Sequence, residues 1–259
     1  MFEQTERLDS AKHRKLRLDE RQSYAFTQHQ AIAPIVAAEA ASLAREFVLV
    51  FPRNNDQLPV VLLGTREGEN LYVDHNGRWL VREIPAHFRR YPFIAAETTS
   101  SDESSTEKRF TVLIDPDAPH LSETEGEPLF DEAGEPLALL NQAQKVLAML
   151  QKELPRTKAL VQRMDELGLL LERPLTVPGK RGTANKSMEG FRVLDQTAYQ
   201  NLGHEALGKL HRSGALALIH AHLISLHNLQ DGALAQHDKQ ATAANDAFGV
   251  EGMFSDDRD

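Results

Sequence analysis

Apolar positions along this chain change period several times, and each change marks a predicted element. Over residues 29–46, Ala31, Ile32, Ile35, Val36, Ala40 and Leu43 recur at helical spacing, and Phe47 continues the series. Pro34 suits a first turn, so the spacing predicts a helix there, with Glu39 set among its small apolar residues. Phe47-Val48-Leu49-Val50-Phe51 is instead a continuous apolar run closed by Pro52, and Pro59-Val60-Val61-Leu62-Leu63-Gly64 is a second. Both predict short buried strands, joined through the turn residues Asn54-Asn55-Asp56. Asn70-Leu71-Tyr72-Val73 and Arg78-Trp79-Leu80-Val81 flank Asp74-His75-Asn76-Gly77. Asn-Gly between two strand-like runs predicts a hairpin with positive φ at both turn residues. Trp79 alternates with Arg78 and Leu80 and is expected to face the core. Phe110–Asp115 predicts another strand, and the polar stretch Glu97–Lys108 before it predicts a mobile loop.

The second half is mostly of helical period. Leu139, Leu140, Ala143, Val146, Leu147 and Leu150 line one face of a helix over Ala138–Leu154, and Thr157–Leu167 continues the theme after Pro155. Gly168 stands where a helix-ending glycine belongs. Leu169–Leu171, Leu175–Val177 and Phe191–Asp195 read as short extended segments, and Thr197–Arg212 and Ala215–Leu229 as two closing helices. From Gln236 the chain turns small and polar. The order predicts an α+β fold, a mainly antiparallel sheet in the N-terminal half packed with helices from the C-terminal half. We read residues 1–235 as a single domain, sheet-rich over 24–135 and helix-rich over 136–235, with 236–259 as a disordered tail.

Composition narrows the functional classes. The absence of cysteine among the 259 residues excludes a disulfide framework, a thiolate nucleophile and cysteine-ligated metal centres. Lys and Arg number 29 against 38 Asp and Glu, and the net charge of -9 argues against a nucleic-acid partner. The local basic run Lys12, Arg14, Lys15, Arg17 is flanked by Asp9, Asp19 and Glu20 and reads as a solvated segment. The longest apolar stretch, Gly214–Leu226, is too short for a bilayer and is broken by His220, His222 and Ser225, so no membrane insertion is expected. Residues Met1–Arg7 lack the apolar region of a secretory signal. The cytoplasm is the expected location, with the cell surface by a signal-independent route as the alternative.

Candidate chemistry is sparse. Asp115-Pro116-Asp117-Ala118-Pro119-His120 puts two carboxylates and an imidazole just past a strand, a pattern open to acid–base work or a divalent metal. The same residues also describe a rigid turn, and this is the favoured reading. His220, His222 and His227 lack the i, i+4 spacing of a zinc helix, and His204 and His211 lie seven apart on the helix before. Gly179-Lys180-Arg181-Gly182 lacks the spacing of a phosphate loop. No cofactor motif is present, and none is expected to bind. The segment most suited to a ligand is Ile84-Pro85-Ala86-His87-Phe88-Arg89-Arg90-Tyr91-Pro92-Phe93. Its arginines offer bidentate donors to an anion or a peptide carboxylate, with His87 and Tyr91 beside them. The same residues also describe a structural segment, aromatics anchored on the sheet and arginines paired with carboxylates at the core edge, and this is the favoured reading. Adjacent arginines point apart, so one is expected to serve the core and the other a partner.

That segment, with Phe51-Pro52, Asn70–Asp74, Gly77-x-Trp79, Leu129–Gly134, Glu189-Gly190-Phe191 and Ala221-His222-Leu223-x-Ser225-Leu226, resembles the SapC family of bacterial proteins. The likeness runs in order from about Tyr24 to Leu229. It implies a link to paracrystalline surface layers and carries over no catalytic residue. A membrane permease of the same name is a different protein, since no transmembrane segment is present here. Three functions stay open at this point. One is a non-enzymatic binding or accessory protein whose ligand is a peptide or amino acid, compatible with a protein partner, and this is preferred. The others are an envelope-associated structural protein and an enzyme using Asp115, Asp117 and His120.

Overall fold

The computed structural model describes residues 2, 4–19, 23–54, 57–98, 109–178 and 185–235. Gly179–Gly182, the tail from Gln236 and all but the first two residues of Glu97–Lys108 lie outside these residues.

The chain opens with strand β1 (Glu6–Arg7), helix α1 (Ser10–His13) and strand β2 (Arg17–Leu18). The Asp9 carboxylate caps α1 by accepting from the Ala11 and Lys12 amides, a normal N-cap role. The helix predicted over 29–46 is not a single helix. Ile32–Pro34 is strand β3, followed by a 3-10 turn at Ala37–Glu39 and the short helix α2 (Ala40–Leu43). Apolar spacing of this kind fits either state, and pairing with a neighbouring strand decided it. Pro34 is tolerated because β3 is the edge strand of its sheet.

The strand β4 (Val48–Pro52) is buried along its whole length, as its uninterrupted apolar run predicts. It pairs antiparallel with β5 (Val60–Leu62), Val48 opposite Leu62, and β5 pairs with β3. The helix α3 (Ala86–Arg89) leads into β6 (Phe93–Thr98), a strand hidden in the sequence between a proline-rich turn and a polar stretch. The strand β7 (Arg109–Ile114) pairs with β6 from Ile114 opposite Phe93 to Arg109 opposite Thr98, and with β1 on its other side. Two short strands, β8 (Leu121–Ser122) and β9 (Glu127–Pro128), flank β2.

One helix links the parts. Helix α4 runs from Ala138 to Glu166 without a break, so the two predicted helices on either side of Pro155 are one. Proline inside a helix costs roughly 3 kcal/mol. The cost is offset because both halves bury apolar side chains in phase: Leu140 and Leu147 pack with Phe93 and Ile114, and Leu160, Val161 and Met164 join the main core. Gly168 follows with φ of 65°, in the expected helix-ending role.

The remaining strands are β10 (Leu170–Glu172), β11 (Leu175–Val177), β12 (Lys186–Met188) and β13 (Phe191–Leu194). The second half thus contributes strands as well as helices: β13 joins β4 and β10 joins β13, giving the order β10-β13-β4-β5-β3. The helix predicted over Thr197–Arg212 is split at Asn201–Gly203 into α5 (Gln196–Gln200) and α6 (His204–Ser213). Gly214, at φ of 88°, turns the chain into α7 (Ala215–Ser225), which packs on β4, and α8 (Asn228–Asp231) follows.

The predicted hairpin at Asn76-Gly77 reduces to one bridge, Val73 with Trp79. Gly77 takes φ of 79°, but Asn76 does not take positive φ. The Asp74 carboxylate closes the turn instead, accepting from the Asn76 and Arg78 amides at 2.9 Å each. Trp79 is buried as expected, between exposed Arg78 and Leu80.

Candidate functional site

The proline-bracketed segment is held by a buried carboxylate. Glu39 Oε2 accepts the Ala86 amide hydrogen at 2.8 Å and Oε1 accepts that of Val36 at 3.1 Å. The Val36 amide and the first turn of α3 are therefore tied by one side chain. Burial raises the Glu39 pKa, and the Ala86 and Val36 amides, with Arg89 beyond them, pull it back. The sequence showed Glu39 among apolar neighbours but not the amides it would meet. Phe88 anchors α3 in the core, its ring 5.9 Å from Trp79 and 6.3 Å from Phe26.

The four candidate side chains of this segment divide. Tyr91 is buried, and its hydroxyl donates to Asp115 Oδ2 at 3.1 Å. Arg90 is half-buried, with its guanidinium 5.2 Å from the Phe2 ring centre and its Nη2 3.5 Å from His87 Nδ1. Burial lowers the Arg90 pKa. Burial first, and Arg90 second, push the His87 imidazole down to about 4, so His87 is neutral near pH 7. Arg89 is exposed and its side chain makes no hydrogen bond or ion pair among the described residues; its charge acts at longer range on Tyr24 and Glu39.

Arg89 opens onto a cavity of about 430 Å³ between the segment and α4. Leu18, Tyr24, Tyr91 and Phe93 form the wall on its own side. The opposite wall is one stripe of α4, Leu139, Gln142, Ala143 and Val146, spaced i, i+3, i+4 and i+7. The cavity combines one cation, a few neutral polar groups and apolar surface, a composition suited to an anion with an apolar body. Sequence reasoning missed the α4 wall, although Gln142 interrupting an apolar stripe is a readable signal.

The Asp115-to-His120 cluster forms a turn. Asp115 is buried; besides Tyr91 it accepts the Asp117 amide at 3.3 Å, and its own amide donates to the Pro92 carbonyl at 3.0 Å. Asp117 is exposed. His120 is buried beside Tyr91, ring centres 5.0 Å apart, and stacks on Phe26 at 6.1 Å. Neither of its ring nitrogens makes a hydrogen bond of normal geometry among the described residues. Burial lowers its pKa against the opposing pull of the Tyr91 carbonyl, Asp19 and Asp115. Among the described residues no group of three or more His, Asp or Glu side chains converges to hold a metal.

The other histidines are dispersed. His204, His211, His220 and His227 are exposed, while His222 is fully buried. The basic run is likewise spread: Lys12 pairs with Glu6, and Arg17 donates to the Gly126 carbonyl at 3.0 Å.

The SapC family model matches residues 8–231 of the chain. No curated protein and no solved structure matches it. No helix among the described residues is long and apolar enough to cross a membrane.

Proposed function

We propose, from the premise that this chain belongs to the SapC family, that it is a non-enzymatic binding or accessory protein holding a carboxylate ligand, an amino acid or peptide, at Arg89. The observation that carries this reading is the uncommitted Arg89 guanidinium lining a cavity together with Leu139, Gln142, Ala143 and Val146 of α4. A guanidinium supplies two parallel donors to a carboxylate, and apolar surface nearby strengthens that contact by excluding water. Arg90 serves a different role, packed on Phe2 beside neutral His87. Tyr91 orders the segment through Asp115.

Calorimetric titration with amino acids and short peptides tests the reading. The expected result is saturable binding that Arg89→Gln removes while the melting temperature stays unchanged. Absence of binding by any carboxylate, or binding indifferent to Arg89→Gln, overturns it.

A further inference from the structure

The cavity wall carries one full charge among the described residues, that of Arg89, and no carboxylate. This imbalance bears on the class of ligand. A free amino acid presents an α-ammonium next to its α-carboxylate. An ammonium taken from water into a partly apolar site without an opposite charge is disfavoured. Beyond Arg89 the polar groups of the wall are neutral, and the Tyr91 hydroxyl is already given to Asp115. Gln142 is exposed and its side-chain amide makes no hydrogen bond among the described residues. Its amide offers an acceptor oxygen and two donor hydrogens, which match the donor and acceptor of a peptide group. Leu139, Ala143 and Val146 lie beside it on the same helical stripe.

Resting on the carboxylate-binding reading, we infer that the ligand is an α-carboxylate whose nitrogen is acylated and whose side chain is apolar: the C-terminal residue of a peptide, or an N-acylated amino acid. The carboxylate meets Arg89, the amide meets Gln142, and the side chain lies on Leu139, Ala143 and Val146. The cavity of about 430 Å³ is near the small end of the roughly 300–1,000 Å³ range of small-molecule sites. It fits one terminal residue rather than a long segment.

The test is titration of the full chain with N-acetyl, glycyl, free and N-acetyl-carboxamide forms of phenylalanine and leucine. The acylated acids are expected to bind, with the free amino acids and the carboxamides each weaker by about tenfold or more. Gln142→Leu is expected to weaken the acylated acids severalfold and leave the free amino acids unchanged. Binding of the glycyl dipeptides as well as the N-acetyl forms supports a peptide source, and binding of the N-acetyl forms alone supports a small acylated acid. Free amino acids binding as tightly as their acylated forms, with Arg89→Gln still abolishing both, overturns this inference and leaves the carboxylate reading standing. No binding by any of the acids overturns both.

Discussion

The His222 imidazole accepts the Leu194 amide hydrogen at Nε2, across 3.1 Å, in the interior of the protein. Its Nδ1 donates to the Leu49 carbonyl at 2.8 Å. Strands β13 and β4 pair directly at Phe191 with Pro52 and at Arg192 with Phe51. Two residues further along each strand the ring stands between Leu194 and Leu49, linking them as a ladder bond would. Ser225, one turn on, accepts the Leu49 amide at 2.9 Å and donates to the His222 carbonyl at 2.7 Å. These bonds require a neutral ring protonated at Nδ1, because a protonated Nε2 would face the Leu194 donor.

Burial accordingly holds His222 down to about 4, with the Leu49 carbonyl opposing. The folded value lies below the ordinary 6.5, so the unfolded chain takes up the proton first. His222 therefore contributes stability in full above about pH 6.5, and this is lost as pH falls toward 4, by an amount on the order of 3 kcal/mol. Half-buried His87 is shifted in the same direction and adds to the trend. Urea unfolding at pH 7.5, 5.5 and 4.5 measures this. The expected slope is reduced in His222→Gln; an unchanged slope in that variant contradicts the assignment.

Glu39→Ala is expected to destabilise the protein by about 2–4 kcal/mol, because it leaves the Val36 and Ala86 amides unpaired. Glu39→Gln retains one acceptor and is expected to cost less. Equilibrium melts supply the magnitudes, and amide exchange at Ala86 supplies the location. Protection at Ala86 that survives Glu39→Ala would contradict the role given to this carboxylate.

Trp79 is the single tryptophan, so its emission is unambiguous. It packs 5.6 Å from the Tyr24 ring and donates from Nε1 to the Glu83 carbonyl at 2.8 Å. Blue-shifted emission is expected from the native protein, and Trp79→Ala is expected to cost about 3–5 kcal/mol. A native spectrum like that of tryptophan in water rules this packing out.

The two arginines are expected to respond in opposite ways to lysine. Arg90→Lys is expected to lower stability by about 1 kcal/mol through loss of stacking on Phe2. Arg89→Lys is expected to leave stability within about 0.5 kcal/mol of the parent, and to weaken binding of N-acetyl-phenylalanine. Paired thermal melts and titrations measure both. Equal stability losses at the two positions contradict the division of labour.

Much of the fold is legible residue by residue. The unbroken apolar runs of β4 and β5 announce buried strands, because residues covered on both faces carry no polar alternation. Trp79 alternates with Arg78 and Leu80 along an extended segment, which sets it on the face opposite to both. The proline-bracketed segment is equally visible, because Pro85 and Pro92 fix the backbone on either side of an arginine pair set among three aromatics. The cavity is less so. Gln142 lies 53 positions from Arg89 in sequence, and only the packing of α4 across the sheet edge brings both to one space.

Local chemistry by itself determined which residues seek the interior, where the chain turns at Asp74 and Gly77, and that no thiol takes part. Tertiary structure alone decided the rest. It made a strand of Ile32–Pro34, carried α4 through Pro155, brought the Ala86 amide to Glu39 and set His222 between Leu49 and Leu194. The local preference was small or divided in these cases, and at Pro155 it opposed the helix. Contacts between residues far apart in the chain supplied the larger free energy.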